Sequence, residues 1–185
     1  MDLIRQNKKE LIKLGIYIII VLAVIFIVNR FFFSLVKVNG ASMNPALRSN
    51  DLIIVDKTIK EEEYHRFDIV AFKYIYNNKD IYLKRIIGLP NETIEIIDNQ
   101  IYINDEKLEE FYGAFSNADD SPDIVGYLSD YPKTTLGVDE YFVIGDNRYV
   151  SDDSRNFGPI TGDLLVGKAV FRVWSFDGVG SLKNQ

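Results

Sequence analysis

A serine at position 42 is a candidate nucleophile. The segment 39–47 reads NGASMNPAL, in which Gly, Asn and Pro favour a turn. A serine in a turn is common and alone indicates little. Its position carries more information, because Ser42 lies six positions after Val36, where a long apolar segment ends. An extended chain would place the hydroxyl at most about 20 Å from that end. If the apolar segment spans a membrane, Ser42 therefore lies close to any other chain that emerges from the same bilayer.

Lys84 is a candidate general base. It lies in the segment 82–90, which reads YLKRIIGLP, and in a strand it points to the same face as Tyr82 and Ile86. A lysine among apolar residues is either exposed on an edge strand or a buried amine. Burial disfavours the ammonium form and lowers the pKa, which makes the amine a usable base near neutral pH. Arg85 is expected on the opposite face, where its charge stays solvated.

A third polar segment, 145–158, reads GDNRYVSDDSRNFG. It is either a turn-rich loop with a local Asp–Arg pair or a polar scaffold beside an active site. In the second interpretation, hydroxyls orient an amine and an Asp153–Arg155 pair fixes the loop. In both, the pair is expected to be exposed and to contribute little stability.

The rest of the composition excludes several kinds of site. The one histidine, His65, lies in a charged stretch and is predicted to be a solvated surface residue. No cysteine is present, which excludes disulfides, thiol nucleophiles and cysteine metal sites. A nucleophilic mechanism must therefore take its base from another side chain. The net charge of −6 argues against a nucleic-acid binder.

An apolar segment near the N-terminus predicts a membrane anchor. Residues 14–28 contain no charged side chain, and the segment continues to Val36, which gives the length needed to span a bilayer. A cleavable signal peptide would be followed by a small-residue cleavage site, which 31–38 lacks, and a buried core helix would seldom be apolar on every face. We therefore expect a cytoplasmic N-terminus at 1–13, a transmembrane helix at 14–36 and an extracytoplasmic domain at 37–185, oriented by the basic flank. The basic residues of this flank are Arg5, Lys8, Lys9 and Lys13.

Beyond Lys37 the pattern changes to short, β-branched runs separated by turn residues. Strands are predicted at 51–55, 68–72, 81–83, 141–144 and 164–174, with a tight hairpin formed by 93–97, the turn 98–99 and 100–103. The segment 116–133 is acidic and contains Pro. Its carboxylates match no calcium-loop spacing, so an exposed loop is predicted. The domain is therefore expected to be mostly β.

Together the motifs resemble a known family. A nucleophile segment of the SxMxP type, a Y-[IL]-K-R-x-x-G-x-P segment and a GDNR-x-x-S-x-DSR-x-FG segment follow an N-terminal anchor in that order. Segments 66–72 and 167–174 match as well. This set resembles the bacterial type I signal (leader) peptidases, which use a Ser–Lys dyad. The resemblance implies a mostly antiparallel β catalytic domain after a single transmembrane helix, with an apolar surface that associates with the lipid bilayer, and neither metal nor cofactor.

The resemblance also implies roles for individual residues. Ser42 would be the nucleophile and Lys84 its base, and Ser151 would hydrogen-bond the Lys84 amine. The remaining assignments are to the surrounding loop (Asp146, Asp153 and Arg155) and to the pocket for the small residue before the cut (Met43, Tyr82 and Leu83).

The chain departs from the family pattern at several positions. A serine that donates to the oxyanion in some members is here Gly40, so the oxyanion hole would rest on backbone N–H groups, with the Ser42 amide as the obvious donor. Asn91-Glu92 replaces a usual Gly-Asp, and Ala46 replaces a usual Thr or Ser. The last two departures concern loop geometry and do not touch the dyad.

The implied reaction is the removal of signal peptides from secreted preproteins by acyl transfer, with a substrate bound as an extended strand. Two alternatives stay open. One is a self-cleaving Ser–Lys protease such as the SOS repressors and mutagenesis proteins, which the apolar anchor argues against. The other is a membrane-anchored chaperone or assembly factor for surface proteins, such as pilus subunits, that keeps the peptidase fold without needing its activity.

Overall fold

The computed structural model describes residues 2–60, 63–77, 79–110, 128–174 and 178–182. It consists of one long N-terminal helix followed by two antiparallel sheets. The prediction of a mostly antiparallel β fold behind one apolar helix is confirmed.

The helix α1 comprises Asp2–Ile27 and continues through a π-helical turn, Val28–Phe32. Its apolar part, Lys9–Phe32, has 24 residues and no buried side chain. At 1.5 Å per residue it is about 36 Å long, enough to cross the roughly 30 Å hydrocarbon core of a bilayer. An apolar helix that leaves its side chains unburied is the form expected of a membrane anchor.

The helical part ends four residues before the expected boundary at Val36, because Phe33–Lys37 form the strand β1. Lys57 fixes this junction. Its Nζ donates to the carbonyl oxygens of Asn29 at 2.6 Å and Arg30 at 3.0 Å, and its backbone N–H donates to Phe32 O at 2.8 Å. These bonds satisfy carbonyl groups that a helix end leaves open, so the chain can turn directly into the sheet.

The larger sheet has eight strands, arranged in the order β1-β2-β11-β3-β4-β9-β10, with β12 paired to β11. The strands after β1 are β2 (Leu52–Asp56), β3 (Ile69–Lys73), β4 (Ile81–Gly88), β9 (Glu140–Ile144), β10 (Ile160–Thr161), β11 (Leu165–Trp174) and β12 (Gly180–Ser181). The smaller sheet has the order β7-β6-β5-β8. Its members are β5 (Thr93–Ile97), β6 (Gln100–Ile103), β7 (Glu106–Lys107) and β8 (Tyr131–Thr135).

The predicted hairpin is confirmed with its expected bounds in β5 and β6. Asp98 and Asn99 both have positive φ, 51° and 61°, as the favoured two-residue hairpin turn requires. Most other predicted strands shift by one residue. The exception is β4, which extends five residues past the predicted end at Leu83 to Gly88. Its Lys84-Arg85 pair interrupts the apolar run in the sequence but not the strand.

The predicted acidic loop 116–133 lies largely outside the described residues. Its end was predicted wrongly, because Tyr131–Lys133 belong to β8, which pairs with β5. Leu128 is buried in an apolar cluster formed by residues of both sheets. Polar residues on the exposed face of an edge strand gave this end the composition of a loop.

Gly167 allows the central strand β11 to approach β2 closely. A Cβ at this position would lie far inside van der Waals contact of the Asp56 carbonyl oxygen and 2.8 Å from its carbon. Backbone atoms in the middle of a sheet cannot move aside without breaking strand pairing.

We therefore expect Gly167→Ala to lower the free energy of unfolding by about 2–3 kcal/mol. The matched control is Gly180→Ala in β12, where a Cβ meets nothing within 4 Å. Thermal denaturation of the detergent-solubilised protein measures both. Equal melting temperatures for the two variants would contradict this packing.

Candidate active site

Ser42 is held by a turn whose neighbouring side chains are buried. Asn44 N donates to Ala41 O at 3.1 Å and Leu47 N donates to Met43 O at 2.7 Å, so the chain reverses here. Met43 and Leu47 are 1% and 0% exposed and pack into the apolar cluster of β2, β3 and β11. These two anchors fix the turn and leave the partly exposed Ser42 side chain at a cleft.

Lys84 reaches this hydroxyl from β4, which lies between β3 and β9. Its Nζ donates to Ser42 Oγ at 2.8 Å. The lysine is only 3% exposed, and its Nζ lies 5.3 Å from the centre of the Tyr82 ring on the same strand face. The structure therefore brings together two side chains that are 42 residues apart in the sequence.

Burial lowers the pKa of Lys84 from 10.5 to about 8, because an ammonium group loses its hydration inside the protein. The carboxylates of Asp153, Asp152 and Asp146 act in the opposite direction, and the Arg155 guanidinium lowers the pKa further. A substantial fraction of the amine is therefore neutral near physiological pH. A neutral amine beside a hydroxyl is a base–nucleophile arrangement suited to acyl transfer.

Arg85 contradicts the expectation that its charge stays solvated. The residue is 1% exposed, and its guanidinium donates to both carboxylate oxygens of Asp146, at 2.8 and 2.6 Å, and to Phe67 O at 2.9 Å. The reason is that β4 is a central strand with both faces covered, so alternation does not expose either face. Asp146 thereby ties the polar loop directly to the strand that carries Lys84.

The pair between Asp153 and Arg155 forms, with Nε and Nη2 of the arginine 2.8 Å from the two carboxylate oxygens. The expectation that it is exposed is wrong, since the side chains are 0% and 5% exposed. Asp153 also accepts from Gly145 N at 3.0 Å and caps the short helix α2 (Ser154–Phe157). The pair therefore lies inside the loop and fixes it around the site.

Ser151 differs from its predicted contact. Its Oγ is buried but has no hydrogen-bond partner among the described residues, so the expected bond with the Lys84 amine is not formed. The hydroxyl packs instead against Gly145. Two residues further along the loop, Asn147 donates its backbone N–H to Ser42 O at 3.0 Å. In this structure the amine of Lys84 directs its hydrogen bond to Ser42.

Met43, Tyr82 and Leu83 all lie on the wall of one cleft of about 580 Å³, with Ser42 and Lys84. Gly40 also lines it, with a φ of +87° that favours glycine. The roles of these residues in substrate binding, and of the Ser42 amide at an oxyanion, stay predictions.

Sequence reasoning missed several residues at the site. Asp152 lines the cleft and accepts from the Tyr74 hydroxyl at 3.1 Å. Arg148 is buried and ion-paired with Glu110, which joins the polar loop to the chain beyond β7. The repeated aromatic residues of 72–82 were a usable signal for Tyr74. No sequence pattern predicts the contact between Arg148 and Glu110.

Comparisons with known proteins identify the family of this chain. A family profile described as signal peptidase, peptidase S26, matches residues 10–174. Signal peptidase IB of Staphylococcus aureus (strain Mu50) is 33% identical over 178 residues, covering 91% of this chain and 92% of its own. Signal peptidase I S of Bacillus subtilis (strain 168) is 34% identical over 176 residues, covering 93% and 94%. A crystal structure of a signal peptidase I from Enterococcus faecalis V583 has 38% identity and a TM-score of 0.49, covering 57% of this chain and 95% of that one.

The chain belongs to the signal peptidase family, peptidase S26, and is a serine peptidase. Its exposed N-terminal apolar helix fits a membrane-anchored member of that family. Among the described residues, no group of three or more His, Cys, Asp or Glu side chains is placed to hold a metal ion.

The lowered pKa makes Lys84 a cost to stability at neutral pH. The unfolded chain, with a lysine pKa near 10.5, binds more protons than the folded protein between pH 8 and 10.5, so stability rises with pH across that window. Below pH 8 the full cost applies. It is at most about 3 kcal/mol, from the difference between the two pKa values.

We expect Lys84→Met, which keeps the apolar stem, to raise the free energy of unfolding at pH 7 by about 1–2 kcal/mol, allowing for the lost bond to Ser42. The gain should shrink as the pH rises from 8 to 10.5. Chemical denaturation at pH 7 and pH 10 tests this. Lys73→Met, at an exposed position on β3, is the control. A Lys84→Met variant that is less stable than wild type at pH 7 would contradict the stability cost of burying Lys84.

Proposed function

We propose that this peptidase removes signal peptides from secreted preproteins, with Ser42 as the nucleophile and Lys84 as the general base. The observation that carries the proposal is the 2.8 Å contact between Lys84 Nζ and Ser42 Oγ. It lies at the wall of a cleft and involves an amine whose pKa is about 8. The names of the related signal peptidases from S. aureus and B. subtilis support the substrate class.

The reaction uses the same contact with the direction of the hydrogen bond reversed, so that the Ser42 hydroxyl donates to the Lys84 amine. The neutral Lys84 amine accepts the Ser42 proton as Oγ bonds to the scissile carbonyl carbon, and the resulting ammonium then protonates the leaving amine as the C–N bond breaks. This leaves an acyl ester on Ser42. Lys84, neutral again, takes a proton from water as the water attacks the ester, and returns that proton to Ser42 Oγ. The oxyanion at each step would be stabilised by backbone N–H groups, with that of Ser42 among them.

The loop 145–157 positions the Ser42–Lys84 pair. The Asp146–Arg85 bonds join the loop to β4, and the Asp153–Arg155 pair fixes its far end. Ser151 is buried in the same loop, and we assign its hydroxyl to accepting a hydrogen bond from the Lys84 ammonium during the reaction. We assign these residues to positioning of the pair, and Met43, Tyr82 and Leu83 to the pocket for a small side chain before the cut.

The anchor would place the cleft at the membrane surface. The basic N-terminal flank favours a cytoplasmic N-terminus, which puts the sheets outside the cytoplasm. Ser42 lies ten positions after the last helical residue, Phe32, so its hydroxyl is at most about 33 Å from the helix end. A preprotein whose signal peptide spans the same bilayer presents its cleavage site at a similar height, and tethering raises its effective concentration.

The dyad is tested by cleavage of a model preprotein with detergent-solubilised enzyme. Ser42→Ala and Lys84→Ala should each lower kcat by at least about 1,000-fold, because the two groups act as a unit. The controls Ser49→Ala and Lys73→Ala replace exposed residues of the same types and should keep wild-type rates. Full activity in Lys84→Ala with a normal melting temperature would remove Lys84 from the mechanism. An inactive wild type, across several preproteins, would remove the proposed function.

The pH dependence follows from the pKa of Lys84. The base must be neutral, so kcat/KM should rise about tenfold per pH unit below pH 8 and level off above it. The rate at pH 6 should then be about one hundredth of the plateau value. Steady-state rates from pH 5.5 to 9.5, with the melting temperature followed over the same range, measure this. A rate that is flat between pH 6 and 8 would contradict Lys84 as the base.

A further inference from the structure

Tyr74 forms the outer layer of an aromatic wall beside the cleft. It follows β3, and its backbone N–H donates to Asp80 O at 2.8 Å across the connection to β4. Its ring stacks on the Tyr82 ring, with 4.3 Å between centroids and an angle of 15° between planes. The Phe157 ring meets Tyr74 edge-on at 6.2 Å. Tyr74 is therefore packed between the loop helix α2 and the cleft-lining Tyr82.

Tyr82 is the inner layer of this wall. Its ring contacts both the Tyr74 ring and the Lys84 amine, whose Nζ is 5.3 Å from the Tyr82 centroid. Phe72, its cross-strand partner in β3, contacts it edge-on at 6.1 Å. The position of Tyr82 therefore depends on rings that do not line the cleft themselves.

Asp152 attaches this wall to the loop 145–157. Its Oδ2 accepts from the Tyr74 hydroxyl at 3.1 Å and its Oδ1 accepts from Asn156 Nδ2 at 3.2 Å. The residues on either side of it, Ser151 and Asp153, are buried, so the backbone of Asp152 is fixed. The Tyr74–Asp152 bond thus connects two segments 78 residues apart at the edge of the cleft.

We propose that the Tyr74–Asp152 hydrogen bond is a latch that holds Tyr82 in place and so limits the size of the substrate side chain accepted beside Lys84. Tyr74 is a positioning residue, since it acts through Tyr82, and Asp152, which itself lines the cleft, positions Tyr82 through Tyr74. The inference rests on the proposed function, because it concerns the pocket for the residue before the cut.

A purely electrostatic role for Asp152 does not account for its presence. Its carboxylate favours the protonated form of Lys84, as do those of Asp153 and Asp146, whereas the reaction needs the neutral amine. Arg155 is the charged group of the loop that acts in the other direction. The geometric contact with Tyr74 is the contribution of Asp152 that helps the site. Partial burial and this bond raise the pKa of Tyr74 to about 12, so its hydroxyl keeps its proton to donate.

The test separates the latch from the charge. Tyr74→Phe removes the hydroxyl and keeps the carboxylate, and Asp152→Ala removes both the acceptor and the charge. Asp152→Asn keeps an acceptor oxygen for Tyr74 and removes the charge. Tyr76→Phe is the matched control, because the exposed Tyr76 ring touches the same Tyr74 ring edge-on at 5.3 Å and does not line the cleft.

The readout is the ratio of kcat/KM for two preprotein substrates that differ only in having Ala or Val before the cut. Since extra methyl groups in a fitted pocket change selectivity by about 10- to 200-fold, we expect Tyr74→Phe and Asp152→Ala to lower the Ala/Val ratio by about tenfold. Asp152→Asn should retain the ratio but shift the acidic limb of the rate profile to lower pH. Tyr76→Phe should match wild type in both measurements.

The position of Tyr82 is measured independently of cleavage by ¹⁹F NMR of protein labelled with fluorotyrosine, with the signal assigned by Tyr82→Phe. The latch predicts that Tyr74→Phe and Asp152→Ala broaden or shift the Tyr82 signal, and that Asp152→Asn leaves it close to wild type. Wild-type Ala/Val ratios, or an unchanged Tyr82 signal, in folded Tyr74→Phe and Asp152→Ala would overturn the inference. An inactive wild type would overturn the proposed function instead, and the NMR comparison would still decide whether the latch exists.

Discussion

The contact between the Lys84 amine and the Ser42 hydroxyl depends on keeping a lysine almost fully out of water. In solution a lysine amine is protonated at neutral pH and cannot act as a base. Here β4 carries Lys84 through the middle of an eight-stranded sheet, and the turn at Ser42 closes over it, anchored by Met43 and Leu47. Burial supplies the lowered pKa, and the turn supplies the partner. The lowered pKa and the contact with Ser42 depend on the same burial, since exposing the lysine would both protonate it and break its hydrogen bond to the serine.

Ion pairs with arginines offset two of the negative charges that surround the Lys84 amine. Three carboxylates act on Lys84, and two of them, Asp146 and Asp153, are bonded to buried arginines. In each pair the positive guanidinium partly offsets the field of the carboxylate, and this limits how far the carboxylate raises the lysine pKa. Buried pairs of this kind add little net stability relative to apolar packing. Their value lies in the fixed geometry of the loop 145–157, which touches Ser42 through the Asn147 amide.

Local pattern and motif order predicted the apolar helix, the hairpin of β5 and β6, and the proximity of Ser42 and Lys84. Those features depend on neighbouring residues or on a motif set that resembles a whole family. The errors concern long-range burial. Arg85 was expected in solvent because strand alternation assumes one exposed face, whereas β4 is covered on both.

Three further features depend on atoms that only the folded chain brings together. The Asp153–Arg155 pair, predicted to be exposed, is buried because the loop folds back on Gly145. The hydroxyl of Ser151 faces Gly145 instead of the amine. The bond between Tyr74 and Asp152 joins segments that are 78 residues apart and that no sequence pattern links.

The assignment of Lys84 as the base depends on the ionisation of its amine. Its most direct measurement is an NMR titration of ¹³Cε-labelled lysine in the detergent-solubilised protein, with the Lys84 signal assigned by its loss in Lys84→Met. We expect a titration midpoint near pH 8, about 2.5 pH units below the ordinary lysine value of 10.5. A midpoint for Lys84 near 10.5 would mean that the amine stays protonated at neutral pH, and would contradict its assignment as the base.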